Sequence, residues 1–342
     1  MQTLSVCSGA PSLESLRVLF IGGYWMGAMD AVRVYLCGIQ DLGASVVEYC
    51  TDHHLDALDH GERPYDRGSY GPVYLKWEAL RPVVERHDPH LVVCCAGGLA
   101  FHPEVADELR QTRCLIGLAM SDPDVFVLST SVISASFDHF FTNNLGAAAR
   151  HREAGANAHW LPFPCYPKFH YRRPRDARFA CDVIVAGQGR EDRAELIRPL
   201  VREFNVKVFG TLWAAHGIEA IDLNLAPKGL IATAYSSATI GFDFARNFSG
   251  LPIAKLRLFE IAGSGGIPCT EYSEELPHLF DDSEILTFRT ATELEEKVRR
   301  VIGDPSLAAA MQRNVYWRAH SEHSVGNRWR YILEQCGVGS AP

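Results

Sequence analysis

Apolar residues in the first half of the chain fall into short unbroken runs separated by stretches of helical period. RVLFIG (17–22), SVVEYC (45–50), HLVVCC (90–95) and RCLIGLAM (113–120) read as strands. The stretch 26–42, closed by Gly43, reads as a helix. So do 72–87, with Pro72 near its start, a segment beginning near Pro103, and a short piece over 145–154 that follows FDHFFTNN. Residues 51–71 carry no clear period and read as a loop. From 159 to 177 the pattern stops, and HWLPFPCYPKFHYRRPRDA, with four prolines, reads as a connection.

The alternation then restarts. CDVIVAG (181–187), VKVFG (206–210), SATIGFDF (237–244), IPCTEY (267–272) and ILTF (285–288) read as strands. Helical patterns cover 190–203, 227–237, the AKLRLFEIAGSGG segment up to its glycines, 290–303, 305–320 and 325–336. Strands without polar alternation, separated by helices, imply parallel sheets covered on both faces. The plan occurs twice, so the expected fold is α/β, with two doubly wound Rossmann-like domains facing a cleft. Ligands of such sheets sit beyond the carboxyl ends of the strands, which makes the loops after each strand the places to search.

Composition narrows the class. The chain has 342 residues, 47% hydrophobic and 22% charged, enough apolar material for two cores. No run of about 18 apolar residues exists, so no membrane span is expected, and the N-terminus lacks the pattern of a signal peptide. Of the 10 cysteines, Cys94, Cys95, Cys114, Cys181 and Cys269 lie in or beside apolar runs, and no Cys-x-x-Cys pair occurs. That suits reduced thiols and a cytoplasmic location. The net charge of -8 speaks against nucleic acid as a partner. A local group of arginines still suits a phosphate-bearing ligand.

Several strand loops carry candidate chemistry. Gly22-Gly23-Tyr24-Trp25-Met26-Gly27 follows the first strand, either as a phosphate- or acceptor-side loop or as a tight turn; it departs from the Gly-x-Gly-x-x-Gly dinucleotide pattern. His102 and Asp122 follow later strands. Asp122 suits a general base and His102 a base or a contact to sugar or phosphate, against the plainer readings of a turn residue and a surface histidine. The acidic and histidine-rich stretch from Asp52 to His60 reads as a solvated loop rather than a metal site. In the second half, Gly187-Gln188-Gly189-Arg190 with Arg193 places glycines and two arginines at a helix start, where a diphosphate fits. Lys255, Arg257 and Glu260, followed by Ser264, Gly265 and Gly266, combine cations for phosphate with a carboxylate able to accept from two ribose hydroxyls.

The stretch from Lys255 to Pro305 resembles the C-terminal domain of spore-maturation (CgeB-type) glycosyltransferases, a branch of the two-domain GT-B class. The resemblance rests on Arg257-Leu258-Phe259-Glu260, the glycine run, Thr270-Glu271-Tyr272, Leu279-Phe280 before an acidic turn, the helix at 291–303, and His323 with Arg328. It implies a nucleoside-diphosphate sugar held mainly by the second domain, with Glu260 on the ribose and Arg257 and the Gly187–Arg193 loop near the diphosphate. It also implies an acceptor-side domain over 1–165, a donor-side domain over 178–322, and a closing segment, 323–342, whose helix crosses back to the first domain. Pro252 stands where many retaining members of the class carry a first glutamate, eight positions before Glu260. The expectation is a glycosyltransferase needing neither metal nor other cofactor, since arginines supply the charge and no Asp-x-Asp pair sits in a suitable loop. A nucleotide-sugar epimerase and a non-catalytic nucleotide-sugar-binding or coat protein are the rival readings.

Overall fold

The structure is a computed structural model, and it describes residues 12–23, 31–53, 58–59, 73–95, 99–101, 103–120, 134, 136–223, 225, 229–246 and 252–338. Tyr24, Trp25, His102 and Asp122 lie outside these residues, as do His54, Asp56 and His60 of the 52–60 stretch. In chain order the strands are β1 (Arg17–Gly22), β2 (Ser45–Cys50), β3 (Leu58–Asp59), β4 (Val73–Leu75), β5 (Leu91–Cys95), β6 (Leu99–Phe101), β7 (Cys114–Ala119), β8 (His139–Thr142) and β9 (Ala158–Trp160). They continue as β10 (Cys181–Ala186), β11 (Val206–Phe209), β12 (Ala238–Asp243), β13 (Ile267–Glu271) and β14 (Leu286–Phe288).

The described residues divide into two compact units, one ending at Pro162 and resuming at Gly326, the other running from Phe163 to Val325. The first unit contains a parallel six-stranded sheet of order β2-β1-β5-β7-β8-β9. Helices Ala31–Asp41, Trp77–His87, Pro103–Arg110 and Leu145–Glu153 connect its strands. The second unit contains a parallel five-stranded sheet of order β11-β10-β12-β13-β14. Both faces of its strands are covered, which explains the missing polar alternation. Val183 and Val185 enter one apolar cluster with Ile197, Leu200 and Val298, whereas Ile184 and Ala186 enter another with Ile231, Ala234 and Ile261.

The last long helix, Val325–Gln335, belongs to the first unit almost entirely. Its Trp329 is fully buried and donates Nε1–H to the carbonyl of Tyr35 at 2.7 Å, and Arg328 Nε donates to the carbonyl of Pro162 at 2.8 Å. Among the described residues no helix is long and apolar enough to cross a membrane.

Two local readings change. The 72–87 stretch is not one helix: Val73–Leu75 pairs with Leu99–Phe101 and with Leu58–Asp59 in a small three-stranded sheet, and the helix begins only at Trp77. Lys76, extended at φ -71° and ψ 126°, separates the two elements. The connection starts later than the pattern suggests, because Ala158–Trp160 is the edge strand of the first sheet, paired in parallel with β8. Three residues are too few to show a period.

Candidate functional site

The second sheet changes direction of winding between β10 and β12, since β11 lies on one side of β10 and β12, β13 and β14 on the other. A crevice beyond the carboxyl ends of two such strands is where open α/β sheets receive ligands. The residues at this point are Gly187, directly after β10, and Asp243, the last residue of β12.

Close approach of two loops shapes the first side. Gly187 (φ +140°) donates its N–H to Phe209 O at 2.9 Å and accepts from Trp213 Nε1 at 2.8 Å. Gly210 (φ +127°) comes so near that a Cβ there would lie 2.1 Å from Gly187 O. Gly189 is equally confined, its added Cβ meeting the Trp213 backbone at 2.7 Å. These glycines exist because two backbones touch.

Two guanidinium groups converge on the same loop. A Cβ placed on Gly187 would lie 3.1 Å from Arg257 Nη1 and 3.5 Å from Arg193 Nη1. Arg257 Nη1 donates to Ala186 O, and its Nε is buried without a hydrogen-bond partner. Arg193 Nη1 donates to Gln188 O at 2.8 Å, with its guanidinium 4.7 Å over the Phe244 ring. Burial, then the charges of Arg190 and Arg257, hold Arg193 below the usual arginine range. Two cations pressed together in this way favour an anion between them.

Glu260 stands three residues after Arg257 on the helix Leu256–Ser264, hence on the same face. Its side chain is buried, and burial pushes its carboxyl from 4.5 to about 7; Arg257 opposes that rise and Asp243 adds to it. Asp243 is buried too and raised by burial, against the pull of Arg257, Lys255, the hydroxyl of Thr270 at 3.3 Å, and Arg193. Tyr235 is fully buried with an unpartnered hydroxyl, and both carboxylates and Arg257 act on it electrostatically.

His170 completes the surroundings of Glu260. It is 0% exposed, and its Nδ1 accepts the N–H of Tyr166 at 3.0 Å. Burial lowers it to about 3, with His320 and Arg173 adding to the fall, so the ring is neutral and its proton resides on Nε2. That N–H has no hydrogen-bond partner and stands 3.9 Å from Glu260 Oε1.

The structure therefore brings Gly187, Gln188, Gly189, Arg193, Arg257 and Glu260 around one end of the sheet. It places other candidates differently. Arg190 precedes the helix Glu191–Glu203 and is partly exposed, its guanidinium holding Asp192 at 2.7 and 3.0 Å. The first turn of that helix carries Glu191 and Asp192, the charges its dipole favours. Lys255 Nζ donates to Arg246 O at 2.6 Å, just outside the helix that Leu256 opens. Ser264, Gly265 and Gly266 stand at the other end of that helix, about 10–14 Å along its axis from Arg257. Gly265 (φ +82°) ends the helix, and a Cβ on Gly266 would meet Tyr235 O at 3.0 Å. In the first unit, Gly22 lets β1 pack against the following helix, where a Cβ would lie 2.5 Å from Val32 Cγ1; Gly23 follows directly.

Asp243, Tyr235 and His170 were not among the sequence candidates. Asp243 ends an apolar run, which is the one signal available for it. His170 lies in the proline-rich connection and meets Glu260 across 90 positions of chain, which no local pattern encodes.

Comparison with known proteins sets this geometry in context. Residues 190–334 match the family model described as glycosyl transferase-like. No curated protein sequence matches the chain. Among solved structures, sucrose-phosphate synthase from Thermosynechococcus elongatus is similar at a TM-score of 0.64 and 14% identity, over 94% of this chain and 99% of that one. A glycosyltransferase from Rickettsia africae gives 0.63 and 10%, over 94% and 97%. HepE of Anabaena, in complex with UDP and glucose, gives 0.60 and 11%, over 94% and 99%. At such identities the likeness speaks for the fold. The chain has two Rossmann-like units of the GT-B glycosyltransferase fold, and its second unit lies largely within a glycosyl transferase-like domain.

Proposed function

We propose that the protein transfers a sugar from a nucleoside-diphosphate sugar to an acceptor, and that it is of the CgeB type. The observation that carries this reading is the placement of Glu260 on the helix face of Arg257, with Arg257 and Arg193 meeting at Gly187, at the switch point of the second sheet and, for these three side chains, within the residues that match the glycosyl transferase-like family. An ionised Glu260 accepts hydrogen bonds from the two ribose hydroxyls, and the arginines take the diphosphate. UDP-sugars are the first donors to test, because the similar HepE is described with UDP and glucose.

In the reaction, an acceptor hydroxyl or amine attacks the anomeric carbon, the bond from that carbon to the diphosphate oxygen breaks, and the nucleoside diphosphate leaves. Guanidinium groups stabilise the departing charge in place of a metal. The acceptor's proton passes to a base. Asp122 is the proposed base, and His102 the proposed contact to donor sugar or phosphate. The Gly22–Trp25 loop is the proposed acceptor or phosphate loop.

The test is a calorimetric titration with UDP, other nucleoside diphosphates and the bare nucleosides, followed by incubation with the matching nucleotide sugars. Binding with transfer, or with slow donor hydrolysis, supports the reading. Epimerised donor without release of nucleotide makes the protein an epimerase, and binding without turnover makes it a nucleotide-sugar-binding protein.

A further inference from the structure

Cysteine behaves unevenly in this chain. Cys94, Cys95, Cys181 and Cys269 are buried as small hydrophobes, but Cys114 and Cys336 are only partly buried. Cys114 is the first residue of β7 and His139 the first of β8, its parallel neighbour in the first sheet. Cys336 follows the helix Val325–Gln335 and donates its N–H to Ile332 O at 3.1 Å. One ligand atom from each of Cys114, His139 and Cys336 lies within 4.8 Å of the other two.

We propose that Cys114, His139 and Cys336 form a binding site for a thiophilic metal ion of the zinc type. Two sulfurs and one imidazole are the ligand set that selects zinc over magnesium or calcium, and a water completes a tetrahedron. With bonds of about 2.0–2.3 Å, tetrahedral zinc holds its ligand atoms roughly 3.3–3.8 Å apart. A spread of at most 4.8 Å closes on the ion with movements of about 1 Å or less. In the metal-free chain His139 Nδ1 accepts from Asn157 Nδ2 at 3.1 Å, so the ring proton sits on Nε2; ligation through Nε2 moves that proton to Nδ1, which lies 3.4 Å from His159 Nε2, the ring the imidazole stacks on at 5.6 Å. Asp138 adds negative charge felt at Cys336. Its own oxygens are occupied by Leu115 N–H at 2.7 Å and Arg110 Nε at 3.3 Å, so it supports the cation without ligating it. Binding converts both thiols to thiolates and releases two protons to solvent.

The site lies where β7 and β8 begin, at the opposite end of the sheet from the strand ends expected to meet substrate. Its role is structural. The ion ties the last helix, whose Trp329 is buried in the first unit, to two strands that precede it by about 200 residues.

The experiment uses the full reduced chain, titrated with zinc against a chromophoric chelator and with cobalt under nitrogen. One zinc per chain, a cobalt–thiolate charge-transfer band and a zinc-dependent rise in Tm are expected. Cys114→Ser, Cys336→Ser and His139→Gln should each weaken zinc at least about 100-fold, and the serine variants should diminish the charge-transfer band. Circular dichroism of the metal-free variants separates lost binding from lost folding, and Cys336→Ser, at a helix end, serves if Cys114→Ser does not fold. No stoichiometric zinc, or zinc uptake indifferent to all three substitutions, overturns the proposal. So does a chain that forms a Cys114–Cys336 disulfide in air and takes up no metal after reduction.

Discussion

Replacing Glu260 with glutamine is expected to stabilise the empty protein while damaging it as a binder. Glu260 is 7% exposed, and burial raises its carboxyl from 4.5 to about 7 even with Arg257 beside it. Because the folded chain holds this proton more tightly than the unfolded chain, stability attributable to Glu260 falls as pH rises from about 4.5 to 7. At about 1.4 kcal/mol for each pH unit, the loss reaches about 3 kcal/mol above pH 7 and vanishes below about 4.5. Glutamine has nearly the same shape and no charge to desolvate. Glu260→Gln should therefore be more stable than wild type by up to about 3 kcal/mol at pH 8, with the gap closing toward pH 4.5. Urea denaturation followed by circular dichroism at several pH values reads the difference directly. Nucleoside-diphosphate affinity at pH 8 should meanwhile fall by about 1–3 kcal/mol, the range for a lost charged acceptor. A variant less stable than wild type at pH 8, or a stability gap unchanged between pH 5 and 8, would refute the assignment of a destabilised, ligand-dedicated carboxylate.

Arg257→Ala should weaken a nucleoside diphosphate by at least about tenfold more than the bare nucleoside in parallel titrations, because its guanidinium joins Arg193 at Gly187; equal losses for both ligands would place its role in folding. Gly210→Ala brings a Cβ within 2.1 Å of Gly187 O at φ +127°, and should destabilise the second unit by roughly 3 kcal/mol or more in chemical denaturation. A change under about 0.5 kcal/mol would mean that the two loops separate freely. Asp122→Asn should lower the transfer rate about 100-fold with donor affinity near wild type, and near-normal turnover would leave His102 as the candidate base.

The parallel sheets were legible because strands covered on both faces are written as unbroken apolar runs, as in CDVIVAG and HLVVCC. Arg257 and Glu260 were legible because their spacing of three on a helix puts both on one face. Glycines were ambiguous for a physical reason. A glycine run that lets a loop approach a ligand and one that ends a helix look alike in letters. Only φ +82° at Gly265, against backbones so close at Gly210 and Gly189 that a Cβ would lie 2.1 and 2.7 Å from them, separates the two tasks. The small sheet of β3, β4 and β6 has strands of two or three residues, below the length at which a period exists. His170, Asp243 and the trio of Cys114, His139 and Cys336 are products of tertiary contact, brought together from positions up to about 220 residues apart.

The two units differ in how the ribosome delivers them. Residues 163–325 form an uninterrupted stretch, so every described strand and helix of the second unit is available once that stretch has left the exit tunnel. The first unit begins earlier but is interrupted, and it receives the helix bearing Trp329, Ile332 and Leu333 only after the second has been made. The order of completion is thus the reverse of the order of synthesis. Until the last helix emerges, Tyr35 and the apolar surface that Trp329 covers face solvent, a state in which chaperones and proteases compete with folding. A stop codon only a few turns early would spare the unit it lies next to in sequence and leave the distant, first-made unit without part of its core.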